Sequence, residues 1–159
     1  MHPAIWIASG GGIGRVRFIP GTTATAIGAL IGAFALWIDL RAMIFLAIAA
    51  CLIGAIAIRL TGEQKSPEWI VVDELAGIWV AMIGLTKFSI TGTIGAFIVF
   101  RLLSLTRPGP IGWADKREGA IATMADDIAA GLIAAALLYL MRFLPPVLLW
   151  GWLPLDLFP

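Results

Sequence analysis

The stretch WIVVDELAGIWVAMIGL, from Trp69 to Leu85, decides how the chain is read. Its length and apolarity predict a membrane-spanning helix, yet Asp73 and Glu74 stand side by side within it. Each acid in a bilayer core costs about 2.5–3.5 kcal/mol on insertion scales. Acids placed inside a membrane are more often functional than ornamental, so the pair marks a candidate site. The plainer reading is a buried ion pair with a base such as Arg101.

The rest of the chain supports a membrane setting. Hydrophobic residues make up 60% of the 159 residues, and mean hydropathy is +0.98. Soluble domains average roughly 45–50% apolar. The length suits one domain over residues 1–159. A net charge of +1 offers no broad basic surface, so no nucleic-acid partner is expected. Cys51 is the only cysteine and His2 the only histidine, which excludes an intrachain disulfide, a cysteine metal cluster and paired-histidine chemistry. The start of the chain lacks the order of a signal peptide, because Arg15 and Arg17 follow the apolar stretch.

Apolar runs fall at Thr25 to Ile38, Ala42 to Ile58, Trp69 to Leu85, Phe88 to Leu103 and Ile128 to Leu144. They predict an all-α polytopic bundle of about five spanning helices. Only DLR separates the first two, which implies a tight hairpin. The proline-rich C-terminal segment carries Trp150, Trp152 and Phe158, and reads as interfacial. With the N-terminus inside, Arg15, Arg17, Arg59, Lys65, Arg107, Lys116 and Arg117 share one side. Arg41, Lys87 and Arg142 share the other. The excess places the first group in the cytoplasm.

That topology gathers the acids on the cytoplasmic side. VDELAG and ADDIAAG each put an acid and a glycine on one helix face, Asp73 with Gly77 and Asp127 with Gly131. A glycine there lets another helix approach closely. Four carboxylates in a poorly solvated region repel one another, and a divalent cation relieves the repulsion. With no usable histidine or cysteine the ligands are oxygens, which suits Mg²⁺. For Asp126 and Asp127 the plain alternative is capping at a helix start. Arg101 and Arg107 are candidates to hold phosphate. Gly21 and Thr22, in IPGTTATAIG, stand where helix amides could receive an anion. The sequence lacks the motifs of cysteine phosphatases and of Asp-x-Asp nucleophiles, which leaves metal-assisted phosphate ester hydrolysis. A small proton-carrying transporter is a weaker alternative, because the acids lie near one face and trace no path across.

PGT (Pro20 to Thr22), VDELAG, FRLLSLTRPGPI and DDIAAG occur in that order. In this the sequence resembles the phosphatidylglycerophosphatase A family over Pro20 to about Leu138. The resemblance implies an Mg²⁺-dependent lipid phosphatase of the bacterial inner membrane, a phosphoric monoester hydrolase. Its site would face the cytoplasm and convert phosphatidylglycerophosphate to phosphatidylglycerol. On this reading Glu74 and Asp127 would be the main metal ligands, with Asp73 and Asp126 as further ligands or as catalytic carboxylates that activate water. Arg101, Arg107, Gly21 and Thr22 would bind the membrane phospholipid substrate. Ser66 and Ser104 stand where the family carries acids, and Arg107 stands where it carries lysine. These departures imply the alternative of an inactive or altered-specificity relative that binds an anionic lipid or a partner helix. The sequence leaves the oligomeric state open.

Overall fold

A computed structural model describes residues 2–16, 19–62, 67–108, 120–141 and 143. Six α-helices lie among them: α1 (Pro3–Ala8), α2 (Pro20–Ile38), α3 (Leu40–Thr61), α4 (Val72–Ile83), α5 (Ile90–Thr106) and α6 (Ala120–Met141). A 3-10 turn, Ile13–Arg15, precedes α2. The expected basic residues Arg17, Lys65, Lys116, Arg117 and Arg142, the departure at Ser66, and the C-terminal aromatic segment lie outside the described residues.

The all-helical class stands, while the expected number of spans does not follow from helix length. Three helices are long and apolar enough to cross a membrane: α2, α3 and α6 from Ile121. Helix α5 is apolar but has 17 residues. Helix α4 has 12 residues, about 18 Å by helical rise, against a hydrocarbon core of about 30 Å. The Trp69–Leu85 run overestimates the helix at both ends. Trp69 lies in a turn, Ile70 and Val71 precede the first helical turn, and Gly84 and Leu85 follow the last.

What α4 lacks in length it makes up in burial. Ten of its residues are buried, and it packs against α2, α3, α5 and α6. A helix that is apolar on all sides belongs in a core, and here the other helices form that core's wall. Small residues set the approach. A Cβ on Gly28 would meet Ile78 and Leu75, and one on Gly32 would meet Met82 and Trp79. The Trp79 indole donates to the Gly28 carbonyl at 2.7 Å, fixing α4 against α2. At the start of α4 the Val71 amide donates to the Ala8 carbonyl at 3.0 Å, so α1 braces the turn that launches it.

The helices alternate in direction. The predicted hairpin between α2 and α3 turns on Asp39, whose carboxylate accepts from the Arg41 amide at 2.6 Å. Ser89 caps α5 by accepting from the Gly92 amide at 3.2 Å. Gly62 closes α3 with φ at 76°, a left-handed position that suits glycine. Outward faces are apolar, as at Phe34 and Trp37 on α2, Phe45 and Leu52 on α3, and Ile94 and Ile98 on α5. In a membrane such faces meet lipid.

Candidate active site

The N-terminal portions of α2, α4 and α6 and the C-terminal portion of α5 meet at one end of the bundle. Their polar side chains join there. Arg101, on α5, places Nη1 at 3.5 Å from Glu74 Oε1 on α4. Its Nη2 donates to the Thr22 hydroxyl of α2 at 2.9 Å. Its Nη1 also lies 3.5 Å from the Ser104 hydroxyl one turn along α5. The Glu74 and Arg101 side chains are only 19% and 12% exposed, so the ion pair expected as the plainer reading is present and partly buried. It does not satisfy both partners. Among the described residues, Glu74 Oε2 and Arg101 Nε are buried without a hydrogen-bond partner, and such atoms carry a desolvation cost of about 1–3 kcal/mol each.

A second link joins α5 to α6. Arg107 Nη2 lies 3.7 Å from Asp126 Oδ2, and Arg107 Nε donates to the Ser104 carbonyl at 3.4 Å. The backbone explains its placement. Arg107 ends α5 in the left-handed region, with φ at 45°. It precedes Pro108, which disfavours a further helical residue at that position. The chain therefore turns sharply there, at a conformational cost of about 1–3 kcal/mol for a residue other than glycine.

The four acids come from two helices held in backbone contact. A Cβ on Gly77 would meet the Asp127 carbonyl at 2.7 Å and the Phe100 ring at 2.6 Å. A Cβ on Gly131 would collide with the Gly77 carbonyl. The two glycines that share a face with the acids thus let α4 and α6 touch one turn beyond them. Asp73, Asp126 and Asp127 are buried. The charge of Asp73 is felt from Asp127, Glu74 and Asp126, and Glu74 and Asp126 act on each other likewise.

The two aspartates at the front of each pair have a local task as well. Asp73 accepts from the Glu74 amide and Asp126 from the Asp127 amide, each at 3.0 Å. For Asp73 this serves the first turn of α4. Helix α6 begins at Ala120, so Asp126 and Asp127 lie well inside it. The expectation that they stand at a helix start, and its capping alternative, are corrected. The apolar run that begins at Ile128 hid more than a turn of helix upstream of the acids.

Gly21 sits against the acid of α4. A Cβ there would overlap Glu74 Oε1. The structure therefore brings Gly21, Thr22, Asp73, Glu74, Arg101, Arg107, Asp126 and Asp127 to one region. Ser104 is the member that motif reading treated only as a departure. Its signal was the i to i+3 spacing from Arg101, which puts both side chains on one face.

Among the described residues, no three acidic or histidine side chains gather closely enough to hold a metal by themselves. The donors still suit a hard dication: they are carboxylate oxygens that repel one another, and one of them, Glu74 Oε2, is buried without a partner among the described residues. Mg²⁺ is commonly held by one or two carboxylates with phosphate oxygens and water completing its shell. That mode needs no cage of three protein acids.

The sequence profile of the family described as Phosphatidylglycerophosphatase A matches residues 6–142. The chain belongs to that family. By family it is a phosphoric monoester hydrolase. The Haemophilus influenzae protein named phosphatidylglycerophosphatase A is 26% identical over 149 residues, covering 90% of this chain and 91% of that protein. The Escherichia coli (strain K12) protein of the same name is 38% identical over 71 residues. That match takes in 44% of this chain and 41% of the relative, less than half of its length. A Bacteroides thetaiotaomicron protein, named as a proposed phosphatidylinositol-3-phosphatase, is 24% identical over 155 residues, 87% of this chain and 93% of its own. No solved structure matches the chain at a significant level.

Proposed function

We propose that the chain is an Mg²⁺-dependent lipid phosphatase that removes the terminal phosphate of phosphatidylglycerophosphate to give phosphatidylglycerol. It works as a multi-pass protein of the bacterial inner membrane, with its site toward the cytoplasm. The observation that carries the reading is the convergence, in a chain of this family, of acids from α4 and α6 with Arg101 and Arg107 from α5.

The parts divide by chemistry. Arg101 and Arg107 offer planar arrays of N–H donors to the phosphate oxygens and offset their charge. Thr22 steadies Arg101 through its hydroxyl, and Gly21, having no Cβ, lets the Glu74 carboxylate lie against the first turn of α2 beside the bound headgroup. Glu74 and Asp127 would hold Mg²⁺. When bound, the cation would withdraw charge from the phosphate oxygens and so ease nucleophilic attack at phosphorus. Asp73 or Asp126 takes a proton from the attacking water as the water oxygen bonds to phosphorus. The bond from phosphorus to the ester oxygen breaks, that oxygen takes up a proton from the carboxyl group or from solvent to become the free hydroxyl of phosphatidylglycerol, and inorganic phosphate is released.

The test is phosphate release from phosphatidylglycerophosphate by the purified chain, with Mg²⁺ and with chelator. Turnover that needs the metal supports the reading, and equal turnover with chelator contradicts it. A second reading, an inactive or altered-specificity relative that binds an anionic lipid or a partner helix, is favoured by Ser104. That side chain is buried against Arg101 where the motif would carry an acid. This reading expects no phosphate release from that lipid and a stability indifferent to Mg²⁺.

A further inference from the structure

A groove of about 330 Å³ runs between α3 and α6. Its walls are Cys51 and Ala55 from α3, and Met124, Ala125, Ile128 and Ala129 from α6. Ile121 and Leu132 form its ends, and both are largely exposed on the outer face of α6. The groove is thus carbon-lined, open sideways, and continuous with the apolar surface of two helices long enough to span a membrane. Such a cleft takes a hydrocarbon chain without leaving a polar group unpaired.

Its position relative to the acids narrows the occupant. Ala125 and Ile128 line the groove, while Asp126 and Asp127, between them in sequence, are turned inward among the acids of the site. Groove and carboxylates therefore occupy neighbouring faces of one helix, separated by no more than a helix width of about 10 Å. From Ile121 the groove runs past the level of Asp127 to Leu132, a rise of about 16 Å along α6. It leads from the end of the bundle that carries the site toward the membrane interior.

We propose that this groove holds one acyl chain of the same phospholipid whose phosphate meets the α4 and α6 acids. It is a substrate-anchoring subsite that fixes the depth at which the phosphate monoester is presented. The inference rests on the lipid phosphatase reading for the identity of the lipid. Its consequence is a division of labour: headgroup contacts set which phosphate reacts, and the groove sets affinity for a long-chain substrate.

The test uses the full chain in phosphatidylcholine vesicles and a long-chain phosphatidylglycerophosphate with a photoactivatable group on one acyl chain. The expected result is crosslinking concentrated at the Cys51–Ala55 and Met124–Leu132 stretches. Unlabelled phosphatidylglycerophosphate added to the vesicles removes it, and the same amount of added phosphatidylcholine, the bulk lipid already present, does not. Label spread evenly over the outward faces of α2 and α5 overturns the proposal. So does equal competition by phosphatidylcholine, which makes the groove a resting place for bystander lipid. Two copies joined by a disulfide through an Ile121→Cys variant, with no lipid label in the groove, overturn it too. The readout needs no turnover, so a chain that releases no phosphate defeats the phosphatase reading without deciding this one. A companion measurement fills the groove with Ala129→Phe. KM for the long-chain lipid rises severalfold, while kcat/KM for a short-chain, water-soluble analogue with the same headgroup is unchanged. Equal loss on both substrates, or on neither, contradicts the proposal.

Discussion

Helices α3 and α4 are both strongly apolar, yet they use that apolarity in opposite ways. Of the 22 residues of α3, six are buried, and Phe45, Ile48, Leu52 and Ile56 form an exposed row on its outer face. Of the 12 residues of α4, ten are buried. One helix is apolar because lipid surrounds its outside, the other because protein surrounds it on nearly every side. The difference explains how α4 can carry Asp73 and Glu74. A carboxylate facing lipid has nothing to offset its desolvation. In α4, Glu74 faces Arg101, which Thr22 holds from the other side, and lies near the acids of α6. The short helix is thereby the platform on which a polar cluster can be held at one end of the bundle, and the long helices form the hull.

The contrast can be broken in order of effect. Removing one acid from α4 and one from α6 costs most. The Glu74→Gln/Asp127→Asn double variant loses phosphatase activity by about a thousandfold or more, equal to roughly 4 kcal/mol of barrier. Phosphate release from membrane-embedded protein measures it, and activity near the unaltered level denies these acids a part in the chemistry. Next comes the close contact beneath them. Gly77→Leu drives a side chain into Phe100 and the backbone at Asp127, with a stability loss of about 1–3 kcal/mol or more. Gly95→Ala on α5, where an added Cβ meets nothing within 4 Å, stays within about 0.5 kcal/mol. Thermal unfolding in detergent compares the two, and equal losses erase the distinction between platform and hull.

Arg101→Lys preserves charge but loses the planar fork that reaches Glu74 and Thr22 together. A rise in KM of about tenfold is expected in steady-state assays, and an unchanged KM removes Arg101 from phosphate binding. The smallest effect belongs to the tryptophans. Trp79→Phe removes the bond to the Gly28 carbonyl and lowers stability by about 1 kcal/mol. Trp37→Phe, on the exposed face of α2, changes it by less than about 0.5 kcal/mol. Unfolding midpoints in the same detergent separate the pair, and a larger loss at Trp37 contradicts the assignment of faces.

Much of this architecture was legible in the residues, and the misreadings have physical causes. The hairpin at Asp39 was visible because one polar tripeptide interrupts two apolar runs. The pairing of acid with glycine in VDELAG and DDIAAG marked places where another helix comes close, and the structure makes α4 and α6 each other's partner there, where only a residue without a side chain permits backbones to touch. Helix ends were read less well. Helix α2 begins at Pro20 and α6 at Ala120, earlier than the apolar runs at Thr25 and Ile128. Threonines and aspartates dilute local hydropathy without interrupting the helix. The span at Trp69 was overextended because apolarity alone does not distinguish a helix walled by protein from one walled by lipid. Individual side-chain partners, such as Thr22 for Arg101, depend on how helices far apart in sequence pack, and no local pattern encodes that.

The measurement that bears most directly on the α4 and α6 acids acting as one site is a mutant cycle. Rates of phosphate release are compared for Glu74→Gln, Asp127→Asn and the double variant, at saturating Mg²⁺. If the two acids serve one reacting centre, each single variant loses nearly all of the activity and the double variant is scarcely worse than either. Losses that simply multiply place the two carboxylates in separate tasks and contradict the account.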